Sequence, residues 1–156
     1  MLFFLYFYKK SKMKEKFQVS KTTLFTAAGL CWAIPGIKVF FTGVNHWVEI
    51  ASNPYLKIFL SLTIFSIFFF GIFRVIFKKY TNRIHQMKAY NPPLSFFSKK
   101  GWGILIFMMC LGVASKNFPI FPPYFIAVFY PGIAMALVIT GTLFIREGFL
   151  VKNKIN

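Results

Sequence analysis

The chain has 156 residues, of which 57% are hydrophobic and 21% aromatic, including 23 Phe, more than a soluble domain of this length normally carries. Against 19 Lys and Arg stand three acidic residues, Glu15, Glu49 and Glu147, and Asp is absent. Paired-carboxylate acid–base chemistry and oxygen-rich Ca²⁺ or Mg²⁺ sites therefore have almost no raw material, and most enzyme classes lose their support with them.

Residues 1–21 form a basic amino-terminal segment that opens MLFFLYFY, too short for a secretory signal core and followed by no small-residue cleavage site. It reads either as an interfacial anchor, with Lys9 to Lys16 on lipid headgroups, or as an extension upstream of a natural start at Met13. The remainder, 22–156, reads as one membrane domain with four apolar runs. Residues 22–44 carry a single charge, Lys38, and at about 1.5 Å per residue they can cross a hydrocarbon layer of about 30 Å. Residues 58–77 are coated almost uniformly with Phe, Ile and Leu, as for a helix that touches lipid on much of its circumference. The run that starts at 101 spans only if it extends to about 118, and residues 124–145 form the last run, uncharged until Arg146. In the loop between the second and third runs, Tyr80, Ile84 and Met87 recur at helical spacing opposite Lys79, Arg83 and Lys88. That pattern predicts a short helix on the membrane surface, stopped by Asn91-Pro92-Pro93 and followed by Phe96 and Phe97 re-entering the membrane.

The predicted fold is therefore all-α and transmembrane: a four-helix bundle of two hairpins with a short interfacial helix in the cytoplasmic loop. Sixteen of the Lys and Arg fall in residues 1–21, 74–100 and 146–156, and only Lys38, Lys57 and Lys116 lie elsewhere. By the positive-inside rule both termini and the middle loop face the cytoplasm, which makes the chain a multi-pass protein with both ends inside. The bases flank the spans and the aromatics lie inside them, so Lys79, Arg83, Lys88, Lys99 and Lys100 are expected to meet anionic lipid headgroups, not nucleic acid.

Trp32-Ala33-Ile34-Pro35-Gly36 in the first span and Phe129-Tyr130-Pro131-Gly132 in the fourth each set an aromatic beside a Pro-Gly step. Counted from the span midpoints, Pro35 and Pro131 fall at nearly one depth, which suits either packing kinks or the central site of a transporter built on interrupted helices. Lys38 is expected about 7 to 8 Å outward of its span's midpoint. From there it either snorkels to the outer interface or faces Tyr130 and holds an anion with a carbonyl freed by proline. His46 and Glu49 offer two metal ligands without a third, Met108, Met109 and Cys110 are soft donors with no complement, and Cys31 and Cys110 read as packing residues. Neither a metal nor a cofactor is expected. Gly132, Ala136 and Thr140 form a small-residue ridge, and Gly29 with Ala33 a notch, for helix contact or dimerisation.

Gly29, Trp32, Gly36 and Gly43, Arg83-Ile84, Phe96-Phe97 before Gly101, Met109 with Gly112, and Phe129-Tyr130 with Gly132 together resemble a group of small uncharacterised four-span bacterial integral membrane proteins. Pro35 and Lys38 depart from that group, in which small or uncharged residues are usual at these places. The resemblance implies architecture and location only. The expected role is a non-catalytic polytopic membrane protein: a small oligomeric transporter or channel, or a subunit, with a site between spans 1 and 4 and a homodimer or another membrane subunit as partner. The alternative is an assembly or envelope-interaction protein that works through its basic cytoplasmic loop.

Overall fold

The computed structural model describes residues 1–2, 19–87, 90–91, 98–118 and 121–155. Five α-helices make up almost all of it: α1 (Lys21–Glu49), α2 (Pro54–Phe68), α3 (Arg74–Gln86), α4 (Lys99–Asn117) and α5 (Pro123–Ile155). A π-helical turn, Phe69–Phe73, joins α2 to α3 without a break. Val19–Ser20 and Tyr90–Asn91 pair as a two-residue antiparallel bridge that ties the approach to α1 to the segment after α3. Both readings of residues 1–21 fall largely on residues outside the described ones, as do Lys88, Pro92, Pro93, Phe96 and Phe97.

Polar residues placed just before α1, α2 and α4 explain where these helices begin. The Ser20 hydroxyl accepts from the Thr23 amide, Asn53 Oδ1 from Tyr55 and the Ser98 hydroxyl from Gly101, each satisfying an amide that has no intrahelical acceptor. Pro54 occupies the first position of α2, where its missing N–H costs nothing.

Three helices are long and apolar enough to cross a membrane: Lys21–Glu49, Pro54–Gln86 and Pro123–Lys154. The apolar part of α4, Gly101–Ala114, is shorter, about 21 Å. Each long helix runs past the apolar stretch read from sequence, α1 by five residues to Glu49 and α5 by ten to Ile155.

The separate surface helix expected around Tyr80 is corrected. Its helical spacing is right, but it is α3, continuous with α2 through the π turn, and Tyr80 and Ile84 are buried in the protein's own core instead of resting on lipid. The reason lies in the turn. Along α2 the inward positions are Lys57, Ser61, Phe65 and Phe68; the next are Phe73, Phe77, Tyr80 and Ile84. Phe69 also packs against the core, and across the step from Phe68 to Phe73 the wider π turn offsets the drift of the inward face, so that one side stays inward throughout. Phe73 then meets Trp32 edge-on at 5.4 Å between ring centres, and Phe77 meets Phe144 at 5.0 Å.

Gly71 sits in that turn with open space around it. Deleting it should turn Pro54–Gln86 into an ordinary α-helix with the same inward face, and the apparent melting temperature in detergent should stay close to that of the parent; a collapse in stability would contradict this account of the turn.

Candidate functional site

The seam between α1 and α5 holds most of the residues singled out above. Gly29, Gly36 and Gly43 recur every seven residues on α1, a spacing that keeps them on one side of the helix, and all three are buried against α5. A Cβ on Gly29 would lie 2.7 Å from the Gly141 carbonyl oxygen, and one on Gly141 would lie 2.6 Å from the Gly29 oxygen. The two backbones are thus in direct contact, the arrangement small residues permit in membranes, where dispersion and Cα–H···O contacts replace the hydrophobic effect as the source of cohesion. Gly148 is similarly tight, with Phe25 Cβ 3.0 Å from its added Cβ, while Gly132 turns to α2, 2.6 Å from the Ser61 oxygen. The Ser61 hydroxyl donates to the Val128 carbonyl at 2.8 Å, and the Thr140 hydroxyl to Ala136 at 2.7 Å, so both buried hydroxyls are satisfied.

These contacts set the relative level of the helices. Gly29 faces Gly141 and Ile145, Gly36 faces Leu137 and Val138, and Gly43 faces Tyr130 and Pro131, so α1 and α5 run antiparallel in a constant register. Pro35 is then level with Ile139 and Pro131 with Gly43, about 12 Å apart. The equal depth expected of the two Pro-Gly steps is corrected: they lie on opposite sides of the mid-level. Both helices continue through their prolines. Trp32, Gly36, Tyr130, Pro131 and Gly132 are buried and Pro35 is half-buried, so the structure gathers six of the candidate residues into the packed interior.

Lys38 stands apart from them. It is exposed, and the contact it makes is the Thr42 hydroxyl on its own carbonyl at 3.1 Å. Level with Ala136, it lies about 9 Å along the axis from Tyr130, and the pairing with that residue expected from sequence is not formed. α2 runs parallel to α5, with Ile64 against Gly132, so Phe68 shares the level of Ala136. Ala136 and Phe68 fall at the centres of the apolar runs 124–145 and 58–77, so Lys38 occupies the mid-level of the bundle. The sequence count set it farther from the centre of its span, which it ended at Val44; the helix runs five residues further, to Glu49, which moves the centre of α1 about 3 Å toward Lys38. An ammonium at the centre of a span costs roughly 2.5 to 3.5 kcal/mol.

Charge is divided between the two ends. At one end Lys21 Nζ donates to the His85 carbonyl at 2.8 Å, His85 Nε2 stands 3.8 Å from Glu147 Oε2, and Tyr80 shares a hydrogen bond with Ser98 at 3.1 Å, which gathers the ends of α1, α3, α4 and α5. Lys78, Lys79, Arg83, Lys99, Arg146, Lys152 and Lys154 are exposed there; the side chain of Lys100, like all of Lys88, lies outside the described residues. At the other end His46 Nδ1 is 3.4 Å from Glu49 Oε2. Among the described residues no three of His, Cys, Asp and Glu come together. Met109 and Cys110 are exposed on α4, and Met108 packs against the core.

Sequence reasoning missed Lys57. Counted only as an outer-loop charge, it is 2% exposed. Its ammonium donates to the Trp47 carbonyl at 3.0 Å and the Ile50 carbonyl at 2.6 Å, and it lies 5.5 Å from the centre of the Trp47 ring. A lysine in the first turn of α2 thereby closes the carbonyl end of α1, where a positive charge is favoured by the helix dipole. The signal was present: a hairpin only four residues long, 50–53, brings position 57 back onto the end of the preceding helix.

Lys57→Met should destabilise the protein by about 1.5–3 kcal/mol, whereas Lys38→Met should leave stability unchanged or raise it, both read from thermal unfolding in detergent. On the seam, Gly141→Ala forces the touching backbones of α1 and α5 to separate and should cost about 1–3 kcal/mol. Gly103→Ala on α4, with nothing within 4 Å of the added carbon, should be neutral or gain up to about 1 kcal/mol.

No family model, curated protein or solved structure matches the chain.

Proposed function

We propose that this chain is a bacterial inner-membrane protein that crosses the bilayer four times, with both termini and the loop between α3 and α4 in the cytoplasm, and that it serves as a non-catalytic subunit of a membrane assembly. The observation that carries the subunit reading is the closed seam. A solute path between α1 and α5 would need a wetted lining, and the two helices instead meet backbone to backbone at Gly29 and Gly141, with Gly36 and Gly43 equally filled by Leu137, Val138, Tyr130 and Pro131. Trp32 is occupied against Phe73. What the fold leaves available is its outer surface and its basic end.

Segregation of the exposed Lys and Arg at the His85 end supports the orientation, and anionic headgroups are the matching partner for Lys79, Arg83 and Lys99 there. For the fourth crossing, α4 supplies 19 residues, about 28 Å, starting from the same basic end. Its inward side chains Trp102, Leu105 and Met108 touch the core while Ile106, Phe107 and Val113 are exposed, as on a helix with lipid along one side. The two described carboxylates, Glu49 and Glu147, sit at opposite ends, each against one histidine, an arrangement that supports a non-catalytic role.

Proteoliposomes containing the purified chain should pass ions and small anions no faster than empty vesicles, and reporters fused to either terminus should register the cytoplasm. Flux above background that disappears in Lys38→Met would replace the subunit reading with a transporter.

A further inference from the structure

Going beyond that reading, though resting on its membrane placement, we infer that α1 presents a docking face for a transmembrane helix of a different protein, one that carries a carboxylate at the mid-level of the membrane. The face is Leu30, Ile34, Lys38, Phe41 and Asn45, exposed residues at steps of three and four along α1. Lys38 follows Gly36 by two positions, about 200° around the helix, so this stripe looks away from the seam with α5. Ile34 and Phe41, one turn to either side of Lys38, are 62% and 63% exposed.

Lipid accounts for the apolar members of the stripe and not for Lys38. The register places Lys38 level with Ala136 and Phe68, near the centres of the apolar runs 124–145 and 58–77, and the hydrocarbon edge is about 15 Å away on either side. A four-carbon stem covers less than half of that distance. Among the described residues no carboxylate lies within ion-pair reach of Lys38: Glu49 is engaged with His46 and Glu147 with His85. A positive charge at this level, on an outward apolar face, is complemented by a negative charge on whatever helix covers the face.

A second copy of this chain does not supply it. Glu49 lies eleven residues along α1 from Lys38, and Glu147 eleven residues along α5 from Ala136, each about 16 Å from the level required. Glu15 precedes α1 altogether. Two copies joined through this face would set Lys38 against Lys38. The partner is therefore another chain, with one Asp or Glu at the centre of a span and apolar residues a turn above and below to meet Ile34 and Phe41. Asn45, seven residues beyond Lys38 on the same stripe, offers a second polar contact in register with the first.

The test uses model transmembrane helices in vesicles of neutral phosphatidylcholine, where no anionic headgroup competes. The full chain carries an acceptor fluorophore and is mixed with donor-labelled leucine-rich peptides bearing Glu, Leu or Lys at the central position. The Glu peptide should associate about tenfold more tightly than the Leu peptide, the preference should vanish in Lys38→Met, and Lys38→Glu should transfer it to the Lys peptide. Equal association of the Glu and Leu peptides with the parent chain overturns the docking face and leaves Lys38 to lipid. Extraction of the chain from the vesicles by alkaline carbonate overturns the membrane placement, and the docking face with it.

Discussion

Where Gly29 meets Gly141, the volume that a side chain would fill on one helix is taken by the carbonyl oxygen of the other. That exchange brings α1 and α5 to backbone contact, and side chains of α5 filling the notches at Gly36 and Gly43, at seven-residue intervals, hold the two helices in one register along most of their length. The level of every other feature follows from that register. It sets Trp32 opposite the π turn, buries the Pro-Gly step of α5 against Gly43, and turns the far side of α1 outward. In a hydrocarbon solvent, shape complementarity at this density supplies the cohesion that exclusion of water supplies elsewhere.

Two lysines on neighbouring helices show how the same side chain is handled in opposite ways. Lys57 is enclosed and its charge is spent on carbonyls that α1 cannot satisfy by itself, so its burial completes the hydrogen bonding of a helix end. Lys38 has no such outlet. It sits on a continuous stretch of helix whose carbonyls are used internally, level with Ala136 and Phe68. The hairpin that traps Lys57 is local, and the complement of Lys38 is sought outside the chain.

Much of the architecture was legible from sequence because it depends on quantities a sequence displays directly. The three long apolar helices follow from run length, and the segregation of Lys and Arg in sequence becomes the basic end at which Lys21, Arg83, Lys99 and Arg146 gather. The glycines were visible as contact residues, although pairing them needed the register. The π turn was hidden because Phe and Ile coat residues 58–77 on every side, so a one-residue change of phase left no trace in the pattern. The continuity of α3 was hidden for a related reason: an amphipathic segment after a span reads the same whether its apolar side meets lipid or the neighbouring helix ends. The level of Lys38 relative to Tyr130 needed the register between α1 and α5, which counting along one helix cannot supply.

The seam joins α1 to α5, with α2, α3 and α4 between them in sequence. During synthesis the glycine notches of α1 are therefore made long before the residues that fill them, and this contact closes only after α5 has emerged. The hairpin locked by Lys57 joins neighbouring helices and can form early, whereas the α1–α5 seam waits for the whole stretch between them.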